Sequence, residues 1–525
     1  MDVDASQYAE ISREMMKSGD YLHLFDRGAD YLDKPPFLFW VSAASMRVFG
    51  INNFGYKLPS ILFALLALLS TYKLAKNLYG EVTGRIAALV LATCQGMFLM
   101  TNDVRCDTIL MSCVVTAIWL IHEWTVNKKL AYLLGGSAAI AVGMMTKGPI
   151  ALMAPAFCFI SDWALKRQWR NFFQPAYISG FIVIAVLLLP MSIGLYQQFD
   201  LHPEKIVNGK TGVSGLRFFY WSQSFGRITG ESPWKNDVDI SFLLVNMLWS
   251  FLPWIFLLLP ALVLNCIQLV RQKFRLLPQQ EWITTGGFLL TYLALGSSSY
   301  QLPHYIFVAF PLAAIVSARL LSQLIEEGKF CRIYNFLSPF MAIIIFILLL
   351  LTLALIAYAF PSSPLVLTAW VICFGIWLFL AFRRSLTGKI FWLSASGMVI
   401  INIFISSCIY PALLQYQLGS QVGRYIHEKS IPANEVGIYK VNDGVNSINF
   451  YAQGNVTTID TLTNLHDKKY ILTMDKGMED LAKNGYHFNI EKQGHFFKVS
   501  ELTPEFLNPK TRSNALRNYY LLNLK

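Results

Sequence analysis

Residues 334–360 read YNFLSPFMAIIIFILLLLTLALIAYAF, and none of them is charged. An apolar run of this length can cross a bilayer core of about 30 Å as a single helix. Comparable runs recur between residues 54 and 411. Across the chain of 525 residues, 55% are hydrophobic and only 14% are charged, whereas a soluble domain carries about a quarter charged residues. The sequence therefore predicts a polytopic α-helical membrane protein.

Hydropathy predicts about twelve membrane spans. They lie near residues 55–79, 82–101, 106–126, 129–146, 147–163, 176–197, 241–270, 281–297, 304–325, 334–360, 363–383 and 388–412. Loops rich in Lys and Arg, such as 166–170, alternate with loops poor in them, such as 198–240. Basic loops face the cytoplasm, which also accounts for the net charge of +11 without a nucleic-acid site. We expect the N-terminal block and the C-terminal tail together on the opposite face.

The usual signatures of soluble chemistry are missing from the sequence. The eight cysteines contain no CxxC and the eight histidines no HxxxH, so we predict neither a disulfide framework nor a metal cluster. No Walker loop and no dinucleotide fingerprint occurs. A reaction on the non-cytoplasmic face would have to draw its energy from an activated lipid.

The first forty residues form a polar, acid-bearing block ahead of the spans. Residues 4–17 are typical of an amphipathic helix that can lie on a membrane surface, with Glu10 and Arg13 on its polar side. Asp4 falls in its first turn, where a carboxylate is electrostatically favoured. From the residues alone, a helix cap and a functional carboxylate both remain open, and capping is the simpler interpretation.

The run Asp33-Lys34-Pro35-Pro36 leads into the next apolar helix. Two prolines suit a helix N-terminus and hold the preceding residues extended at the membrane boundary. Lys34 there can bind a lipid phosphate or simply snorkel to the interface. Other ionisable groups at predicted span ends on this face are Asp103, Arg105, Asp107, Lys147 and His304, and Arg227 lies at the end of an aromatic stretch in the loop 198–240.

After residue 412 the composition becomes mixed. Strand-like runs at 436–439, 470–474 and 496–500 alternate with helical patterns near 417–428 and 478–484. About 110 residues suffice for one small α/β domain. We therefore divide the chain into a first loop (1–54), a transmembrane domain (55–412) and a C-terminal α/β domain (413–525).

The run DASQYAEISREM at residues 4–15, followed by Asp33-Lys34-Pro35-Pro36 and Phe39-Trp40, resembles the first periplasmic loop of the bacterial protein O-mannosyltransferase-like glycosyltransferases. Within them it is most similar to the lipid A aminoarabinose transferase branch. Segments 102–110, 145–148, 223–230, 248–254 and 302–311 continue the likeness in order.

This resemblance implies a GT-C fold in a bacterial inner membrane, with the active site and the C-terminal domain in the periplasm. It implies an inverting hexosyl- or pentosyltransferase that moves a sugar from a polyprenyl-phosphate donor to lipid A, another glycan or a protein. A transporter or flippase of a lipid-linked saccharide is the alternative, but transporters usually show repeated halves and midplane charges. A scaffold without catalysis would explain the spans but not the charged motifs.

The resemblance also implies site residues. Asp4 matches the family's catalytic acidic residue and would act as general base if the acceptor is a hydroxyl. If the acceptor is a phosphate, Asp4 would orient the acceptor or a cation. Lys34 and Arg227 would hold the donor phosphate. Asp33 matches a position that contacts a metal in relatives, so the resemblance implies a divalent ion as the one candidate cofactor. The supporting or substrate-binding candidates are Tyr8, Asp33, Asp107, Lys147, His304 and Tyr305.

Three departures from the family pattern stand out. The familiar acidic pair reads Asp4-Ala5, and the usual basic residue two places later is Gln7. Relatives also carry a span before this loop, which makes about thirteen where this chain shows about twelve. We expect an in-frame hydrophobic helix to be encoded just upstream of Met1.

Overall fold

Helices dominate the computed structural model, which describes residues 3–223, 225–229, 231, 235–236, 238–325, 328, 330–383, 388–465 and 467–525. Helices of the first loop and the membrane part are α1 (Val3–Ser18), α2 (Phe37–Phe49), α3 (Asn53–Tyr79), α4 (Glu81–Thr93), α5 (Gln95–Asn102), α6 (Cys106–Asn127), α7 (Leu130–Lys147), α8 (Ile150–Leu165), α9 (Ala176–Leu195), α10 (Gly215–Arg217), α11 (Phe225–Thr229), α12 (Phe242–Ser250), α13 (Ile255–Arg271), α14 (Ile283–Gly296), α15 (Phe310–Ile325), α16 (Cys331–Ala354), α17 (Pro364–Phe382), α18 (Lys389–Phe404) and α19 (Tyr410–Leu414).

Among the described residues, 8 helices are long and apolar enough to cross a membrane. They are α3, α6, α7, α9, α15, α16, α17 and α18, with the short turns that extend some of them. The bent pair α4–α5 brings the count to 9, and α2, α8, α13 and α14 are shorter apolar helices. The prediction of a polytopic helical protein is confirmed, and each of the twelve predicted spans coincides with one of these helices or with a broken pair.

Two predicted spans are broken in the structure. Residues 82–101 bend by 58° between α4 and α5. The bend is fixed because the Gln95 amide donates to the Leu252 carbonyl at 3.2 Å. Residues 241–270 were predicted as one span but form α12 and α13, since Pro253 between them has no amide hydrogen to continue a helix.

Burial orders the helices from the centre of the bundle to its lipid-facing surface. In the most apolar window of Pro303–Ile325, which contains α15, 94% of the residues are buried. In Pro364–Phe382, which is α17, only 11% are buried. Because α15 is the central helix, the turn that leads into it, Pro303–Ala309, is held rigidly at one end of the bundle.

The amphipathic helix predicted for residues 4–17 is confirmed as α1, but it is not a surface helix. Its side chains pack on α2, and the Tyr56 hydroxyl of α3 donates to the Ala5 carbonyl at 2.7 Å. Glu10 and Arg13, expected on a solvated face, are 0% and 3% exposed and form an ion pair of 2.5 Å. Burial of both charges is tolerated because each satisfies the other.

The C-terminal region forms a small α/β domain, as predicted. Its helices are α20 (Leu418–Glu428), α21 (Ile448–Ala452), α22 (Asp475–Lys483), α23 (Pro504–Leu507) and α24 (Arg512–Ala515). Its sheet contains five strands, β5 (Val436–Tyr439), β6 (Thr457–Ile459), β7 (Tyr470–Met474), β8 (Phe488–Phe496) and β9 (Arg517–Leu524). Two small hairpins lie in earlier loops and are formed by β1 (Phe25–Asp26) with β2 (Ala29–Asp30) and by β3 (Ile206–Val207) with β4 (Lys210–Thr211).

The C-terminal strands run in the order β6-β5-β7-β9-β8, with β5 parallel to β6 and β7 and with β9 antiparallel to β7 and β8. Two of the predicted strands coincide with β5 and β7. The strand predicted at 496–500 is wrong, because β8 runs from Phe488 to Phe496 and pairs antiparallel with β9, with a register shift between Ile490 and Lys492. Strand β8 is largely exposed and polar, so its sequence carries little apolar signal.

The C-terminal domain contacts the first loop directly. Phe450 of α21 is 1% exposed and packs against Tyr56 of α3, with ring centroids 5.7 Å apart and the rings tilted by 54°. Arg13 of α1 donates to the Asn455 side chain at 2.5 Å. The N-terminal block and the C-terminal domain therefore lie at the same end of the helix bundle.

Candidate active site

Five chain segments bring the predicted site residues together at this end of the bundle. They are the start of α1, the turn before α2, the start of α6, the end of α7 and the turn 303–309 that leads into α15. Each functional side chain sits at a helix end, where its polar group can leave the apolar bundle without disturbing a span.

Asp4 is paired with an arginine from the start of α6. The Asp4 carboxylate lies 3.2 Å from Nη1 of Arg105, and its side chain is 43% exposed. Within the described residues α1 runs from Val3, and Asp4 lies in its first turn, where a carboxylate is electrostatically favoured. Arg105 also contacts Asp103 at 3.2 Å and the His304 ring at 3.4 Å. The site therefore presents an exposed carboxylate held by a partly buried guanidinium.

Asp107, Lys147, His304 and Tyr305 form a second, adjoining cluster. Lys147 Nζ lies 2.5 Å from the Asp107 carboxylate, which is almost completely buried. His304 Nε2 is 3.7 Å from the other Asp107 oxygen, and Lys147 stands 4.1 Å from the Tyr305 ring centroid. Lys147 ends α7, where the helix dipole favours a cation. All four residues were candidates from the sequence, and the structure brings them together.

Asp33 and Lys34 are an ion pair of 2.7 Å. The Gln223 side chain donates to the Asp33 carboxylate at 2.8 Å and also to the Asp33 backbone carbonyl. Burial opposes the charge of Lys34, but the attraction and hydrogen bond of the adjacent Asp33 carboxylate, together with the nearby Cys106 and Tyr305, raise the pKa of Lys34 above its ordinary value. The sequence did not single out Gln223 as a site residue. Its one signal was membership of the segment 223–230.

A cleft joins the two lysines. Lys34 and Lys147 both line it, together with Gln223, Tyr305 and Ser298. The rest of its wall is apolar and comprises Leu110, Ile150, Met153, Phe225, Ala294, Leu295 and Val308. Two ammonium groups in the wall of a largely apolar cleft suit a phosphate that carries a hydrocarbon chain.

Of the predicted site residues that the structure describes, Tyr8 does not line the cleft. Tyr8 is 3% exposed and packs edge-on to Phe39 with ring centroids 5.8 Å apart, and burial raises its pKa. Its place is in the packing between α1 and α2. Arg227 falls within α11, but its side chain lies outside the described part of the chain.

A metal at Asp33 lacks further protein ligands in the described residues. No group of three or more His, Cys, Asp or Glu side chains is close enough there to hold a metal ion. Asp33 instead faces the Lys34 ammonium and the Nε2 amide of Gln223, two hydrogen-bond donors that cannot ligate a cation.

Comparison with known proteins gives a consistent result. Residues 33–193 match the dolichyl-phosphate-mannose-protein mannosyltransferase family. The undecaprenyl phosphate-alpha-4-amino-4-deoxy-L-arabinose arabinosyl transferase of Edwardsiella ictaluri is 25% identical over 84% of this chain and 78% of its own length. The protein of the same name from Pseudomonas aeruginosa is 27% identical over 61% of this chain and 56% of its own length.

The fold also has a solved counterpart. The structure of ArnT from Cupriavidus metallidurans bound to undecaprenyl phosphate aligns with 99% of this chain and 93% of its own, with a TM-score of 0.69 and 17% identity. The GT-C fold and the small C-terminal sheet domain expected from the sequence are thereby confirmed. The chain is a multi-pass membrane glycosyltransferase of the GT-C fold, and it is similar to the protein O-mannosyltransferase-like and lipid A aminoarabinose transferase-like enzymes.

Proposed function

We propose that this protein transfers a sugar from a polyprenyl-phosphate donor to an acceptor at the end of the bundle that holds Asp4, on the periplasmic face of the inner membrane. The observation that carries the proposal is the cleft with Lys34 and Lys147 beside the Asp4–Arg105 pair. The alternation of basic and non-basic loops supports the periplasmic placement.

The cleft supports the role of donor site. A polyprenyl phosphate offers one anionic head and a long apolar chain, and the cleft offers two ammonium groups and an apolar wall. In the reaction, an acceptor oxygen attacks the anomeric carbon, and the bond from that carbon to the phosphate oxygen breaks. The electron pair of that bond leaves with the polyprenyl phosphate. Lys34 and Lys147 stabilise the charge that develops on this leaving group.

The Asp4–Arg105 pair supports the role of acceptor site. Asp4 is the more exposed partner, so an acceptor can reach its carboxylate, while Arg105 is anchored by Asp103 and His304. A hydroxyl acceptor would lose its proton to Asp4 as its oxygen attacks. A phosphate acceptor is already ionised, and Arg105 is then suited to orient it by charge-assisted hydrogen bonds.

The named relatives suggest which donor to test. Those from Edwardsiella ictaluri and Pseudomonas aeruginosa are transferases of 4-amino-4-deoxy-L-arabinose from undecaprenyl phosphate. We propose that donor as the initial substrate for assay, with lipid A as acceptor. Ala5 and Gln7 depart from the family pattern beside Asp4, so other glycans and proteins belong in the same assay as acceptors.

The test combines two variants of the purified full-length protein. Asp4→Asn should abolish sugar transfer and leave binding of polyprenyl phosphate intact, because the two functions occupy different parts of the site. Lys34→Ala should weaken binding of polyprenyl phosphate by about tenfold or more, as expected for a lost charge-assisted contact. Lys57→Ala is the matched control, since Lys57 lies at the same end and donates to the Asn102 carbonyl.

Two results would count against the proposal. Full transfer activity in Asp4→Asn would remove Asp4 from the chemistry. Movement of a lipid-linked saccharide across vesicle membranes, without any sugar transfer to lipid A, glycan or protein, would instead favour the flippase alternative.

A further inference from the structure

A cavity of about 910 Å³ opens at the other end of the bundle, away from Asp4. Helix α6 sets the separation, because Asp107 lies in its first turn and Lys128, which lines the cavity, follows its last residue. A helix of this length spans about 33 Å. The cavity is therefore distinct from the Lys34 cleft, and the proposed sugar transfer does not use it.

The charges that line this cavity are mainly positive. Its basic residues are Lys128, Lys166, Arg167 and Arg170, and its acidic residues are Asp162 and Glu281. Lys166 and Asp162 neutralise each other at 2.9 Å. Lys128, Arg167 and Arg170 are exposed. The cavity therefore keeps a surplus of cations.

Glu281 does little to reduce that surplus. It accepts hydrogen bonds from the Thr284 amide at 2.9 Å, from the Thr284 hydroxyl and from the Tyr79 hydroxyl. Even when Glu281 is ionised, the four basic residues that line the cavity outnumber its two acidic residues. The cavity thus attracts an anion.

Aromatic side chains place the same cavity beside the lipid. Trp163, Trp169 and Phe159 line its wall. Trp169 stacks on Phe172 with ring centroids 5.8 Å apart, and the nearby Phe173 is 84% exposed. Exposed Trp and Phe next to cationic side chains are typical of a membrane–water boundary. An anionic lipid can contact the cationic side chains with its headgroup and the aromatic side chains with its hydrocarbon chains. A soluble anion would contact only the cationic side chains.

We propose that this cavity binds the phosphate headgroup of an anionic phospholipid, with Arg167 and Arg170 as the phosphate contacts and Trp169 against the acyl chains. Arginine suits this role because its planar guanidinium can bind two phosphate oxygens at once. Basic pockets between membrane helices are a recurrent form of anionic-lipid site.

Native mass spectrometry of the detergent-purified full-length protein tests the proposal. The protein is titrated with phosphatidylglycerol, with phosphatidylethanolamine, and with phosphatidylglycerol in the presence of excess inorganic phosphate. We expect the protein to bind phosphatidylglycerol with higher affinity than phosphatidylethanolamine. In the double variant Arg167→Gln/Arg170→Gln, affinity for phosphatidylglycerol should fall about 30-fold, at about fivefold for each charge removed at a membrane surface.

Arg271→Gln/Arg275→Gln is the matched control. Both arginines are exposed at the same end, where the Leu276 amide donates to the Leu165 carbonyl, but neither lines the cavity. An equal loss of lipid in both double variants would overturn the proposal, because it would mean general attraction to basic loops. Equal retention of the two lipids would also overturn it. Complete competition by inorganic phosphate would assign the cavity to a soluble anion instead.

Discussion

Lys34 shows which part of a site a sequence can reveal. The two prolines after it, together with the apolar run that follows, were enough to place a lysine at a helix entrance. Its neighbours in space were not predictable in the same way. Asp107 and Lys147 are 40 residues apart in the chain, and Asp4 and Arg105 are 101 apart. These pairs arise from helix packing, which no local pattern encodes.

The Asp33–Lys34 pair makes a prediction about pH. A lysine with a raised pKa stays charged below that pKa and loses its charge as the pH rises through it. Asp33→Asn removes the carboxylate that raises the pKa of Lys34 and leaves the burial that lowers it. We therefore expect binding of polyprenyl phosphate to decline at a lower pH in Asp33→Asn than in the natural protein. Binding titrations from neutral pH to a pH above the ordinary lysine pKa of about 10.4 measure the shift.

The control for this titration is Asp20→Asn. Asp20 pairs with His23 at 2.8 Å in the first loop and does not line the cleft. Its removal should leave the pH dependence of binding unchanged. Identical pH midpoints in Asp33→Asn and the natural protein would show that Asp33 does not sustain the charge of Lys34.

Among the helices and strands, hydropathy located the long apolar helices well because their signal is continuous and long. It did not locate the breaks. The bend between α4 and α5 depends on a contact with Leu252, far along the chain, and β8 escaped detection because its side chains are mostly polar. Element type followed from local composition, whereas element boundaries depended on tertiary contacts.

The bend at α5 predicts an intolerant glycine. A Cβ on Gly96 would lie 2.6 Å from the Phe310 ring and 3.0 Å from the Ser250 carbonyl oxygen. Gly96→Ala should therefore destabilise the protein by about 1–3 kcal/mol through overpacking. Gly375→Ala on α17 is the control, because nothing lies within 4 Å of that position and alanine favours a helix. Thermal unfolding in detergent should show a lower midpoint for Gly96→Ala alone.

The attachment of α1 to the C-terminal domain makes a second prediction about stability. Arg13→Ala removes the partner of the buried Glu10 and the donor to Asn455. A buried charge left unpaired costs about 3–5 kcal/mol, so the midpoint of thermal unfolding should fall sharply. Because Asp4 lies on the same helix, sugar transfer should fall as well. The double variant Glu10→Leu/Arg13→Leu should recover much of the stability, and a double variant less stable than Arg13→Ala would contradict this account.

For the molecule as a whole, the alternation of basic loops and the contact between α1 and the C-terminal domain lead to one orientation. The C-terminal domain shares its end of the bundle with Asp4, and the basic loops 166–170 and 271–275 lie at the other end. If the basic end faces the cytoplasm, the Asp4 end lies on the opposite side of the membrane from the nucleotide-sugar donors. A lipid-linked sugar is then the activated donor that this end can use. The orientation of the bundle in the membrane therefore determines which kind of sugar donor the Asp4 end can reach, and a measurement of the orientation also tests the proposed donor.

Cysteine labelling measures the orientation. Glu479→Cys introduces a thiol on an exposed position of α22, and Arg271→Cys introduces one at the basic end. A membrane-impermeant maleimide added to intact spheroplasts should label Glu479→Cys, whereas Arg271→Cys should react only after the membrane is permeabilised. The unaltered protein supplies the background, since its described cysteines are buried or only partly exposed. Labelling of Arg271→Cys in intact spheroplasts would place Asp4 in the cytoplasm, where nucleotide-sugar donors are present, and would remove the physical reason for a lipid-linked donor.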